Sequence, residues 1–123
     1  MLKDAEVMAM VPVKDIKVAE EFYSQTLGLN KIDENMAGVT YKCGAGKMFV
    51  YATPKAGTAQ STVATWEVDD IGAVVKELKS KDLKFEHYQM EGAKYEGDVH
   101  IWGEFKAAWF RDPDGNILGL SQV

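Results

Sequence analysis

Ala108-Trp109-Phe110-Arg111-Asp112-Pro113-Asp114-Gly115-Asn116-Ile117-Leu118-Gly119-Leu120 is the stretch that decides the fold. Asp112 suits the first position of a tight turn, Pro113 presets φ at the second, and Gly115 accepts the left-handed conformation that closes it. Apolar residues on both sides supply two strands, so the segment reads as a β-hairpin. Hairpins are common, and the meaning of this one depends on what leads up to it.

Upstream, Lys84 to Met90 reads as a strand, and Glu91 to Glu104 as a long irregular loop of the kind that carries function or mobility. Before these, Thr62 to Val68 is a strand, Asp70 a helix cap, and Ile71, Val74, Val75 and Leu78 the apolar stripe of a helix. The same order occurs earlier in the chain. Val7 to Val13 reads as a strand buried on both faces, with Pro12 near its end or on an unpaired edge. Asp15 caps a helix whose buried face is Ile16, Ala19, Phe22, Tyr23 and Leu27, and Gly28 stops it. Strands follow around Lys31–Asp33, Val39–Cys43 and Lys47–Thr53, broken at Asn35–Gly38 and Gly44-Ala45-Gly46. Pro54 to Ser61 has no apolar periodicity and reads as a linker.

Val13, Asp15 and Ile16 recur as Val68, Asp70 and Ile71, each 55 residues further on. The repeat predicts an α+β fold of two tandem βαβββ modules, approximately residues 6–53 and 62–123, within a single domain over 1–123.

Composition narrows the function. Apolar residues make up 46% of the 123 residues and charged residues 27%, ordinary values for a globular protein. The formal charge of −5 argues against nucleic acid or an anionic membrane as partner. Cys43 stands alone, so no internal disulfide marks an oxidising compartment. No apolar run is long enough to span a bilayer. The expected location is the cytoplasm.

Val13-Lys14-Asp15-Ile16, Glu21-Phe22-Tyr23, Leu27-Gly28-Leu29, Val68-Asp69-Asp70-Ile71 and Asp112-Pro113-Asp114-Gly115-Asn116 together resemble the vicinal oxygen chelate superfamily. That group includes glyoxalase I, the extradiol dioxygenases and the bleomycin-resistance proteins. These motifs are caps and turns, so they speak to fold rather than chemistry. The resemblance implies that the modules' curled mixed sheets form a half-open cleft, and that in the enzymes a divalent metal sits there, held by one side chain from each of four strands. Its ligand positions fall here on Met8, near Val50, on Val63 and on Gly119, none of which suits such a metal. One-residue slips in alignment offer only Tyr51, and two-residue slips only Glu6. No cofactor is therefore expected, and a metal-dependent activity is not.

In place of a metal, Met8 and Met10 share a strand face with Val63 and Thr65 and would form an adaptable apolar floor. Val50, Trp102, Trp109 and Gly119 complete the expected ligand-binding set, with aromatic walls able to stack a planar molecule. Tyr41, Tyr51, Tyr88 and Tyr95 are dispersed through the predicted strands and loops. Trp66, alternating with Thr65, reads as core. Glu67 and His100 are the acid–base candidates, whereas His87 reads as a surface residue and Cys43 as a small buried thiol. The leading expectation is a metal-independent binding protein that sequesters a small hydrophobic or aromatic molecule. The alternative is an enzyme of the same fold (lyase, isomerase or dioxygenase-like) using unusual acid–base groups or a relocated metal. A third possibility is a dimeric domain without a ligand. The resemblance also implies a homodimer.

Overall fold

Two aspartates start the two main helices. In the computed structural model, which describes all 123 residues, Asp15 Oδ1 accepts the backbone N–H groups of Lys17 (2.9 Å) and Val18 (3.4 Å), and Asp70 Oδ1 accepts that of Ala73 (3.1 Å). Each carboxylate satisfies amides that have no partner within the first helical turn. Helix α1 runs over Ile16–Glu20 and continues as a wider π-helical turn over Glu21–Thr26, and α2 spans Ile71–Ser80. Gly28, at φ +74°, ends the first helix as expected.

The first module places β1 (Ala9–Val13), β2 (Asn30–Glu34), β3 (Gly38–Cys43) and β4 (Gly46–Ala52) in the order β1-β4-β3-β2, with β1 parallel to β4. The second repeats this plan. Here β5 (Thr62–Glu67) runs parallel to β10 (Ile117–Gln122), which pairs with β9 (Phe105–Arg111). Beyond β9 lie β8 (Val99–Trp102) and β7 (Lys94–Glu96), with the short β6 (Phe85–Glu86) also on β9. The α+β class and the strand–helix–strands order of both halves are thus present. No helix is long and apolar enough to cross a membrane.

Three expectations change. The first strand begins at Ala9, with Val7 92% exposed and Met8 outside it, and only one face of β1 is buried. The expected strand over Lys84–Met90 shrinks to Phe85–Glu86, because the chain leaves the sheet to cover His100. The expected loop over Glu91–Glu104 instead contains the β7–β8 hairpin and the turn into β9.

One core serves both modules. Val11, Val13, Val39, Tyr41, Met48 and Val50 of the first sheet join Phe110, Leu118 and Leu120 of the second, with Ala19 and Tyr23 from α1 and Ile71, Val75 and Leu78 from α2. Trp66 packs against this cluster, stacked on Phe110 at a ring separation of 6.4 Å.

The opening hairpin turn fastens the two halves together. Asp112 Oδ2 accepts the Tyr23 hydroxyl at 2.6 Å and Asn116 Nδ2 at 2.8 Å, while Asn116 Nδ2 also reaches the Pro12 carbonyl at 2.6 Å. Asp112 Oδ1 holds the turn itself by accepting the backbone N–H groups of Asp114 and Asn116. All three side chains are buried, and their hydrogen bonds to one another satisfy the polar groups that burial would otherwise penalise. Pro12 sits on the free edge of β1, where its missing N–H costs no ladder bond.

Candidate ligand-binding cleft

Because the two sheets share one core, their opposite faces are the ones left open. In the first sheet, register pairs Met10 with Phe49 and Val11 with Val50. In the second it pairs Thr65 with Gly119 and Trp66 with Leu120. The 55-residue repeat equates Met10 with Thr65 and Val11 with Trp66, so Phe49 is the counterpart of Gly119. Val50, expected in the cleft, instead faces the core with Val11, as strand alternation requires. Phe49 and Tyr51 lie on the open face as a parallel pair, 6.4 Å apart and 9° from coplanar.

Val63 is also displaced from its expected place. A bulge in the β5–β10 ladder pairs Ile117 with Thr62 but Leu118 with Ala64, leaving Val63 unpaired. Thr62 and Thr65 both turn to the open face, while Val63 and Ala64 pack against the core. Met8 and Met10 remain 41% and 48% exposed at the edge of the first sheet, and Thr65 is exposed on the open face.

Trp109 dominates the second sheet. Its indole lies over Gly119: a Cβ there would come within 3.3 Å of Trp109 Nε1 and 3.0 Å of Thr65 Oγ1. Trp109 Nε1 donates to Thr62 Oγ1 at 3.2 Å, which fixes the ring. The position where the resemblance implies a metal-binding carboxylate is thus overlaid by an indole. No three His, Cys, Asp or Glu side chains converge anywhere to hold a metal ion. The donors around Gly119 are threonine hydroxyls and an indole N–H, and they do not fit a divalent metal.

Behind Trp109 stands a wall of rings. His100 meets it edge to face at 5.0 Å, Tyr88 meets it at 5.4 Å, and Trp102 stacks on the far side of His100 at 6.2 Å. His100 is fully buried. Its Nε2 accepts the Tyr88 backbone N–H at 3.0 Å, and its Nδ1 donates to the Asp98 carbonyl at 3.1 Å. Both ring nitrogens are engaged, so this imidazole orders the Tyr88 segment and is not free to move a proton. Trp102 Nε1 donates to the Glu91 carbonyl at 3.3 Å, tying down the same segment. Glu67, on β5, is exposed to water, and His87 is exposed with its ring 4.3 Å from that of Tyr95. Cys43 is half-buried at the end of β3.

A cavity of about 610 Å³ opens beside Trp109, walled by Tyr88, Met90, Arg111 and Ile117 and by the 57–62 segment. Of the residues expected to bind a ligand, only Trp109 lines it. The expected linker is one of its walls: Ala56 is buried, and the Gly57 N–H donates to Asn116 Oδ1 at 3.3 Å. Sequence reasoning missed Arg111, although it lies two residues from Trp109 and so shares its strand face. It missed the 57–62 wall because that segment is held by a glycine and a backbone contact rather than by apolar periodicity. Burial raises the Tyr88 phenol above its ordinary range, with the nearby Glu86 carboxylate adding to it, so the hydroxyl keeps its proton.

The family model of the Glyoxalase/Bleomycin resistance protein/Dioxygenase superfamily matches residues 7–120, and the chain belongs to that superfamily. Among solved structures it is similar to lactoylglutathione lyase from Agrobacterium tumefaciens, with TM-score 0.73, 18% identity, and coverage of 97% of this chain and 93% of that one. It is also similar to TnmS3, an antibiotic binding protein from a Streptomyces species, with TM-score 0.70, 23% identity, and 99% and 98% coverage. A glyoxalase/bleomycin resistance protein/dioxygenase from Alicyclobacillus acidocaldarius gives TM-score 0.70 at 15% identity, over 97% and 91% of the two chains. At these identities the likeness is one of fold. No curated protein sequence matches the chain.

Proposed function

We propose that this protein is a metal-independent binder that sequesters a small planar aromatic compound against Trp109. The observation that carries the reading is the Trp109 indole lying across Gly119 while forming a wall of the 610 Å³ cavity. One side chain both takes the place of a metal ligand and offers a flat apolar surface, which suits stacking rather than Lewis-acid chemistry. The fold likeness to an antibiotic binding protein agrees with this. No observation favours the enzymatic alternative: His100 is locked by its two hydrogen bonds and Glu67 stands in water.

Titration with flat aromatic antibiotics, read by tryptophan fluorescence, tests the reading. Saturable quenching is expected, and it should fall away in Trp109→Phe while Trp66 and Trp102 remain. Absence of quenching by any such compound overturns the proposal, as does stoichiometric nickel, zinc, iron or manganese in protein purified without chelator.

The exposed Val7 and the half-exposed Met8 and Met10 beside it also support a homodimer in solution. Sedimentation is expected to give about twice the chain mass of 13.6 kDa, and a monomer mass at micromolar concentration overturns the dimer.

A further inference from the structure

The cavity beside Trp109 presents several hydrogen-bond donors and no carboxylate. The Tyr88 hydroxyl is shielded from solvent, lies beside the Arg111 guanidinium, and has no acceptor for its own hydrogen. Such a group costs free energy in isolation and gains when an incoming molecule completes it. Thr62 Oγ1 already accepts the Trp109 N–H, so its own hydroxyl hydrogen is left to donate. Arg111 spends Nε on Glu86 and one Nη1 hydrogen on the Gly115 carbonyl, and no carboxylate or carbonyl takes its Nη2 hydrogens. Against these donors, no Asp or Glu lines the cavity. Glu86, the nearest carboxylate, is already engaged by Arg111.

We infer that the compound bound against Trp109 carries an exposed carbonyl or carboxylate oxygen, received by the Tyr88 hydroxyl and the Arg111 guanidinium. The inference rests on the aromatic-binding reading and adds polarity to it. Trp109 sets the flat apolar half of recognition, and Met90 adapts to its outline. Tyr88 and Arg111 set the other half: a hydrocarbon edge would leave the buried Tyr88 hydroxyl unpaired and would displace water from Arg111 with nothing to replace it.

Three probes of similar shape separate the two halves: 2-acetylnaphthalene with a neutral carbonyl, 2-naphthoate with an anionic one, and 2-isopropylnaphthalene with neither. Calorimetry and tryptophan quenching are expected to show both oxygen-bearing probes binding about tenfold tighter than the hydrocarbon, the effect of one good hydrogen bond. Tyr88→Phe keeps the ring and removes only the hydroxyl. It should leave the folded state as stable as the parent or more so, and it should erase most of the advantage of 2-acetylnaphthalene. Arg111→Met should weaken 2-naphthoate most. Equal binding of all three probes to the parent protein overturns this inference and leaves the aromatic reading standing. Failure of all three to bind overturns both.

Discussion

Tyr23 is the residue on which the joint between the modules turns. Its hydroxyl donates to Asp112 at 2.6 Å from a fully buried position. Burial, reinforced by the neighbouring Asp112 carboxylate, pushes the phenol far above its ordinary value of about 10. The folded state therefore favours the protonated form. The stability this contributes is complete below pH 10 and is lost progressively above it, as unfolded tyrosine ionises and Tyr23 does not. Tyr23→Phe is expected to cost about 1–3 kcal/mol near neutral pH, by leaving a buried carboxylate short of a donor. It should also flatten the alkaline decline by about 1.4 kcal/mol per pH unit, the contribution of one proton. Urea denaturation from pH 8 to pH 11 checks both effects, and an unchanged alkaline slope refutes the assignment.

Among the elements, those set by local chemistry were legible in the sequence. Asp15, Asp70 and Gly28 announce the helix ends, and Asp112 to Gly115 the turn, because each acts on amides or backbone angles within a few residues. The β7–β8–β9 meander was missed although Gly97-Asp98 and Gly103-Glu104 are two-residue hairpin links with glycine at positive φ. Strands of three and four residues are too short for an alternation to stand out. Val50 and Val63 were misplaced for a different reason. Which face a strand residue takes depends on its partner strand and on bulges, neither of which is written locally. The 57–62 wall belongs to the same class: Gly57 has φ +75°, and a Cβ there would fall 2.0 Å from the Asp114 carbonyl oxygen. Gly57→Ala should release this segment from the hairpin turn. We expect stability to drop by about 1–3 kcal/mol and binding in the cavity to weaken together. A variant that loses stability but retains full affinity would show that the segment is no part of the site.

For the whole molecule, the shared core outweighs the division into two sheets. Sixteen buried apolar residues form one cluster drawn from both modules, and the Tyr23–Asp112–Asn116 network crosses between them. Heating is expected to give a single calorimetric transition, with equal calorimetric and van't Hoff enthalpies. Two resolved transitions would mean that the modules unfold independently. The network has a further consequence for how the protein is made. Asp112 is made 89 residues after its partner Tyr23, and Asn116 104 residues after the Pro12 carbonyl that it meets. A nascent chain therefore carries its first module with that tyrosine unmatched, and the apolar face of β1 and β4 unsealed, until the second module has been made. The turn acts as a closing latch, and this vulnerable interval ends only when β10 has emerged.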